Sequence, residues 1–231
     1  MNAQNASQHL PASYGPDERK GYLAQLKLLT EAYLSPKSAM LEVPFSGGDT
    51  KTLVIQKQLA RGTIKLNDTD RYAEPIVDYN LLSNPVDIEI IIAMVRTVRK
   101  WYATKEMAQL TPKELTPGPS VVSDADLSQW VRNSLGGSTA HGCCTSPMMP
   151  REQGGVVGPD LKVYGVDHLT VADGSIMPML PATHICATTY AIAEKVSYMR
   201  GTLAFVDPLT LICVIGCRHY QNAGSALRPI M

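Results

Sequence analysis

Apolar positions along the chain repeat with two different periods. From Gly21 to Leu34, Leu23, Leu26, Leu29 and Ala32 or Tyr33 recur every three or four residues, the spacing of one helix face, and the run stops before Ser35-Pro36. Met40–Pro44 and Lys51–Leu59 are rich in Val, Ile and Thr around Gly47-Gly48 and read as paired strands. A further short strand is expected in Arg61–Leu66, before an Asn-Asp turn cluster. After Asn84-Pro85, Ile88, Ile91, Ile92, Val95 and Val98 mark a packed helix face, with Glu89, Arg96 and Arg99 pointing elsewhere. Asn84 suits the cap and Pro85 the first helical position. A Pro-rich loop spans Thr111 to Ser120. A second helix is expected from Ser123, with Asp126 completing a capping-box arrangement, to Gly136-Gly137. Val156 to Ser175 reads as short strands around a turn at Gly165, and Ala187 to Arg200 as a helix stopped by Gly201. Strands and helices mix without regular alternation. The expected class is therefore α+β, a mixed or antiparallel β-sheet with flanking helices.

Composition narrows the functional classes. The 231 residues carry 21 Lys+Arg and 21 Asp+Glu, a net charge of zero, which gives no basic face for nucleic acid or an anionic membrane. The longest apolar run, Leu209 to Gly216, is far shorter than the ~20 residues of a membrane span. The polar N-terminus does not read as a secretory signal. Cys143, Cys144, Cys186, Cys213 and Cys217 make an odd set without paired zinc-ligand spacing, so free thiols and no metal site are expected.

Two histidines stand out chemically. His141 follows a helix stop within Ser138-Thr139-Ala140-His141-Gly142-Cys143-Cys144-Thr145, where small residues allow close approach to a ligand. His184 lies in Pro181-Ala182-Thr183-His184-Ile185-Cys186, just ahead of a helix start. Both are on expected loops, and a neutral imidazole can take a proton from an alcohol. His9, His168 and His219 have no such setting and read as surface residues.

The run His141-Gly142-Cys143-Cys144-Thr145, then Gly154-Gly155-Val156-Val157 and Leu161–Val166, resembles the C-terminal signature of glucose-methanol-choline oxidoreductases. It continues through Leu169–Pro178 and closes with Thr183-His184 and Ala191-Ile192-Ala193-Glu194-Lys195. Upstream, Leu34–Ser38 and Pro75–Tyr79 resemble the family more weakly. The resemblance covers roughly residues 20 to 200. It reads closest to the fungal branch with glucose and aryl-alcohol oxidases and versicolorin-synthase-like enzymes.

The resemblance implies an FAD-dependent oxidation of an alcohol. His141 matches the base that takes the hydroxyl proton while hydride passes to flavin N5. His184 matches the second active-site position, which holds the same oxygen. Asp173-Gly174 matches the segment whose backbone approaches the flavin, and Ile185 and Cys186 the stretch beside its ring. Removing the hydroxyl proton makes the carbon a better hydride donor, which agrees with that assignment. A non-redox cyclase of the same fold, and a partial domain inactive by itself, are the alternatives.

Three departures from the family accompany the match. No G-x-G-x-x-G follows a strand, so the N-terminal Rossmann segment that seats the ADP part of FAD is expected to be missing, and with it a partner half. Cys144 stands where the family has glycine. Residues 202–231 have no family counterpart and are expected to be read-through or, alternatively, a short genuine strand. The expected organisation is a flexible lead-in over 1–20, the substrate-side domain over 21–201 and this tail.

Overall fold

The computed structural model describes residues 6–44, 53–70, 72–138, 140–203 and 211–213. Helix α1 runs from Pro16 to Leu34, with Pro16 at its first position and Asp17 and Glu18 in the first turn, where acidic groups meet the positive end of the helix. It begins five residues earlier than the Gly21 start expected from periodicity. The upstream stretch, expected as a lead-in, folds back on it: Ala6 and Leu10 are buried against Tyr22. That burial gives the first turn a surface to pack on, which its own polar residues do not reveal.

Helix α2, Pro85–Tyr102, starts as expected, with the Asn84 side chain accepting from the Val86 N–H at 3.1 Å. Its stripe of Ile88, Ile91, Ile92, Met94 and Val95 is buried against Leu127 and Val131 of α4, Asp124–Ser134. Between them lie the single-turn helix α3, Lys105–Ala108, and the Pro-rich loop. The Arg99–Glu114 ion pair, at 2.7 Å, fastens that loop to α2. Ser123 caps α4 by accepting from the Asp126 N–H at 3.0 Å.

Among the described residues, the strands form short pairs instead of one continuous sheet. β1, Leu41–Glu42, is antiparallel to β2, Val54–Ile55; the expected Gly47-Gly48 turn between them lies outside the described residues. β3, Thr63–Lys65, is antiparallel to β4, Ile76–Asp78. Asn67 Oδ1 accepts from the N–H groups of Thr69 and Asp70, making the expected turn after β3. β5, Leu169–Val171, is parallel to β6, Leu211–Cys213. The tail, expected as read-through or alternatively as a short strand, contributes β6, and the rest of it beyond Leu203 lies outside the described residues. The class is α+β, with helices beside mixed strand pairs.

A second core gathers Val157, Leu161, Val171, Ala172, Ile176 and Val196 around helix α5, Ile185–Leu203. That helix starts two residues before Ala187 and continues through Gly201. Glycine costs about 1 kcal/mol in a helix interior but little in a final turn.

Helix α1 packs against the segments around Gln153, Pro178 and Leu59. Gly21 faces the Gln153 carbonyl so closely that a β-carbon there would lie 2.1 Å from the oxygen. Gln25 Nε2 donates to the Pro178 carbonyl at 2.8 Å, and the Tyr22 hydroxyl to the Leu59 carbonyl at 3.3 Å. Among the described residues, no helix is long and apolar enough to cross a membrane.

Candidate active site

Three chain segments converge on one place. The first, His141 to Met148, leaves α4 after a loop in which the Ser138 hydroxyl accepts from the His141 N–H at 3.0 Å. Backbone N–H groups of Cys144, Ser146 and Met148 then donate to the carbonyls of Gly174, Ser175 and Ile176, at 3.3, 2.9 and 2.8 Å. The second segment, the 3-10 turn Gly174–Ile176, follows β5 and is capped by Asp173, whose Oδ1 accepts from the Ser175 N–H at 2.8 Å. The third is the start of α5. A β-carbon on Gly174 would lie 3.1 Å from Thr189 Oγ1, so the absence of a side chain lets the turn sit against that helix.

This convergence brings the two histidines together. The rings of His141 and His184 meet edge to face, with centroids 4.9 Å apart. His184 immediately precedes α5 and its ring nitrogen Nε2 pairs with the carboxylate of Glu42 on β1. The same carboxylate accepts from Gln56 Nε2, a buried side chain next to β2. Glu42 is the residue that sequence reasoning missed. Its strand was expected, but nothing local signals a contact between positions 142 apart in the chain.

His141, Asp173, Gly174 and Ile185 line a common cavity of about 3290 Å³. Its size exceeds the roughly 300–1000 Å³ of an ordinary small-ligand pocket. Ile185 is buried, whereas Cys186 is exposed, carries a free thiol and does not line the cavity. Of the six residues singled out for catalysis and cofactor contact, four line the cavity; His184 does not line it and reaches the group through its ring contact with His141, and Cys186 lies on the outer side of the α5 start. Asp173 and Ser175 are buried, yet Asp173 Oδ2 and Ser175 Oγ have no hydrogen-bond partner. Orphaned polar atoms beside a cavity fit a ligand that brings its own hydrogen-bonding groups.

The cysteines correct one expectation. Cys143 and Cys144 are joined in a disulfide, not free. Neighbouring side chains on extended backbone point apart, but Cys144 adopts the left-handed φ of 73°, which turns both sulfurs to one side. That region is one glycine adopts most readily, which suits the resemblance's expectation of glycine at position 144. Among the described residues, no group of three or more His, Cys, Asp or Glu is placed to hold a metal.

A family model described as GMC oxidoreductase matches residues 58–193. The dehydrogenase xptC of Emericella nidulans is 35% identical over 196 residues, covering 84% of this chain and 31% of that protein. Patulin synthase of Aspergillus clavatus is 36% identical over 140 residues, 60% of this chain and 22% of its own length. Among solved structures, a new fungal aryl-alcohol oxidase superposes with a TM-score of 0.81 at 38% identity, covering 87% of this chain and 34% of that chain. An FAD-dependent oxidoreductase from Chaetomium thermophilum gives the same TM-score at 31% identity, over 87% and 35% of the two chains. The chain spans about a third of the length of xptC and of both solved structures.

Proposed function

The chain belongs to the GMC oxidoreductase family, and on that premise we propose that it supplies the substrate-facing part of an FAD-dependent oxidation of a primary or secondary alcohol. The observation that carries this reading is the edge-to-face pair of His141 and His184 at the convergence of three segments. Two imidazoles at that separation can both reach one hydroxyl oxygen.

His141 is the base of the pair. It sits on the cavity wall and takes the hydroxyl proton, which raises electron density on the carbinol carbon and eases loss of its hydrogen as hydride. His184 holds the oxygen in line, and Glu42 fixes the orientation of the His184 ring through its contact at Nε2. Asp173, Gly174 and Ile185 would hold the cofactor. The orphaned Asp173 Oδ2 and Ser175 Oγ offer polar partners, and Gly174 leaves room for close backbone approach. When bound, FAD supplies the two-electron acceptor for the hydride. Most of its ADP-binding surface belongs to a segment of a kind this sequence does not contain, so a flavin-binding half is the expected partner.

The test is to mix the purified chain with FAD and a separately purified flavin-binding half from a family member, follow the visible flavin band, and then add a primary alcohol without oxygen. The expected result is a band that the alcohol bleaches only when this chain is present, with His141→Ala bleaching about 10²–10⁴-fold more slowly. Equal bleaching in the variant would overturn the assignment of His141. Bleaching that does not depend on this chain would overturn the substrate-facing role of its residues.

A further inference from the structure

We propose that the adjacent pair Cys143–Cys144 is a reversible thiol–disulfide site whose redox state sets the path of the loop bearing His141. This does not rest on the oxidoreductase reading, because it concerns the chemistry of the two sulfurs and the backbone between them.

Four observations carry it. The two cysteines are joined in a disulfide. Both are half-exposed and line the same cavity as His141, so a small dithiol can reach either sulfur. Cys144 holds the left-handed φ of 73°, a region that a β-carbon disfavours. Its N–H donates to the Gly174 carbonyl at 3.3 Å, which ties the His141 loop to the Asp173–Ser175 turn.

The ring closed by the disulfide spans a single peptide bond, so it restricts the backbone of Cys144 directly. Opening the ring lets Cys144 leave the left-handed region, and the bond to Gly174 is then no longer enforced. His141 is three residues upstream in the same loop, so a change in the loop's path at Cys144 shifts the His141 ring against His184.

The exchange balances with a dithiol as reductant. One of its thiolates attacks a cysteine sulfur, breaking the S–S bond and forming a mixed disulfide. Its second thiolate attacks the mixed disulfide, which releases the protein thiol and closes the oxidised, cyclic reductant. Two electrons pass to the cysteine pair, and two protons end on its sulfurs. A small-molecule disulfide drives the reverse reaction.

The test uses the full chain in two states, treated with oxidised glutathione or with dithiothreitol. Each is alkylated with iodoacetamide, digested and mapped by mass at the peptide holding residues 143 and 144. The expected result is no alkylation of the pair after oxidised glutathione, two alkyl groups after dithiothreitol, and return to the first state on re-oxidation. Histidine ring NMR of the same samples should show the His141 resonances shifting between the states, while those of exposed His168 stay in place. In Cys143→Ser the His141 shift on adding dithiothreitol should vanish. Alkylation of both cysteines, or a stable glutathione adduct on either, after oxidised glutathione overturns the couple. A closed pair that opens without moving the His141 resonances overturns its control of the loop.

Discussion

At the scale of single residues, Asp87 is a buried carboxylate held by two backbone donors. Its two carboxylate oxygens accept from the N–H groups of Leu59 and Ala60 at 2.7 and 2.8 Å, inside the first turn of α2. Arg61 lies alongside, donating to the carbonyls of Gln58 and Ala60 at 3.0 Å each and to Gln25. Asp87→Ala orphans two buried donors and should lower stability by about 2–4 kcal/mol, read from denaturant melts. Burial raises the Asp87 pKa above its ordinary 3.8, against the opposing pull of the two N–H groups and Arg61. The native state then binds more protons than the unfolded chain between 3.8 and the raised value, so this contribution to stability falls as pH rises through that window. In Asp87→Asn that slope should be missing, so the variant's deficit relative to the parent should shrink as pH rises above 3.8. A deficit constant with pH would count against it. None of this was legible in the sequence, where Asp87 is one polar position in an amphipathic helix.

At the scale of elements, the starts of α2 and α4 were legible because capping is decided within three residues. Helices α1 and α5 instead begin five and two residues before their expected starts. Asn84 and Ser123 were expected as caps, and both accept the N–H bond that the role requires. Asn84→Ala and Ser123→Ala should each cost about 1 kcal/mol. Asn84 should fall at the upper end because it is fully buried. Thermal unfolding of the two single variants and the double checks this, and the effects should add because the caps belong to different helices. The bounds of α5 were less legible. α5 begins at Ile185 and runs beyond Gly201, since the packing of Val196 and Ile176 in the second core decides how far it extends. β1, β2, β3 and β5 fall within segments expected as strands, whereas β4 was not expected, and the strands were expected as members of one sheet. Pairs of two or three residues carry too little pattern to show which strands remain apart.

At the scale of the whole molecule, α1 packs on the distant 3-10 turn Arg151–Gln153, and Gly21 is a point of close approach in that junction. A β-carbon 2.1 Å from the Gln153 carbonyl oxygen meets backbone, which has little freedom to withdraw. Gly21→Ala should therefore separate α1 from the 3-10 turn Arg151–Gln153 and lower stability by at least ~1–3 kcal/mol, despite alanine's better helix propensity. Hydrogen exchange should show faster opening of both α1 and residues 149–155. A variant as stable as the parent, with unchanged exchange in that turn, would show that the junction is not tight.

The sequence by itself determined the α+β class, the capped helix starts, the family string and the two histidines, because these depend on residues close together along the chain or on an ordered motif. The tertiary structure alone decided that Glu42 reaches His184, that the His141 loop is pinned to Gly174, and that Cys186 faces away while Ile185 faces the cavity. It also decided that Cys143 and Cys144 are joined, through a backbone angle at Cys144 that residue type alone disfavours. Such contacts follow from the path of the chain between distant segments, and local periodicity carries no record of that path.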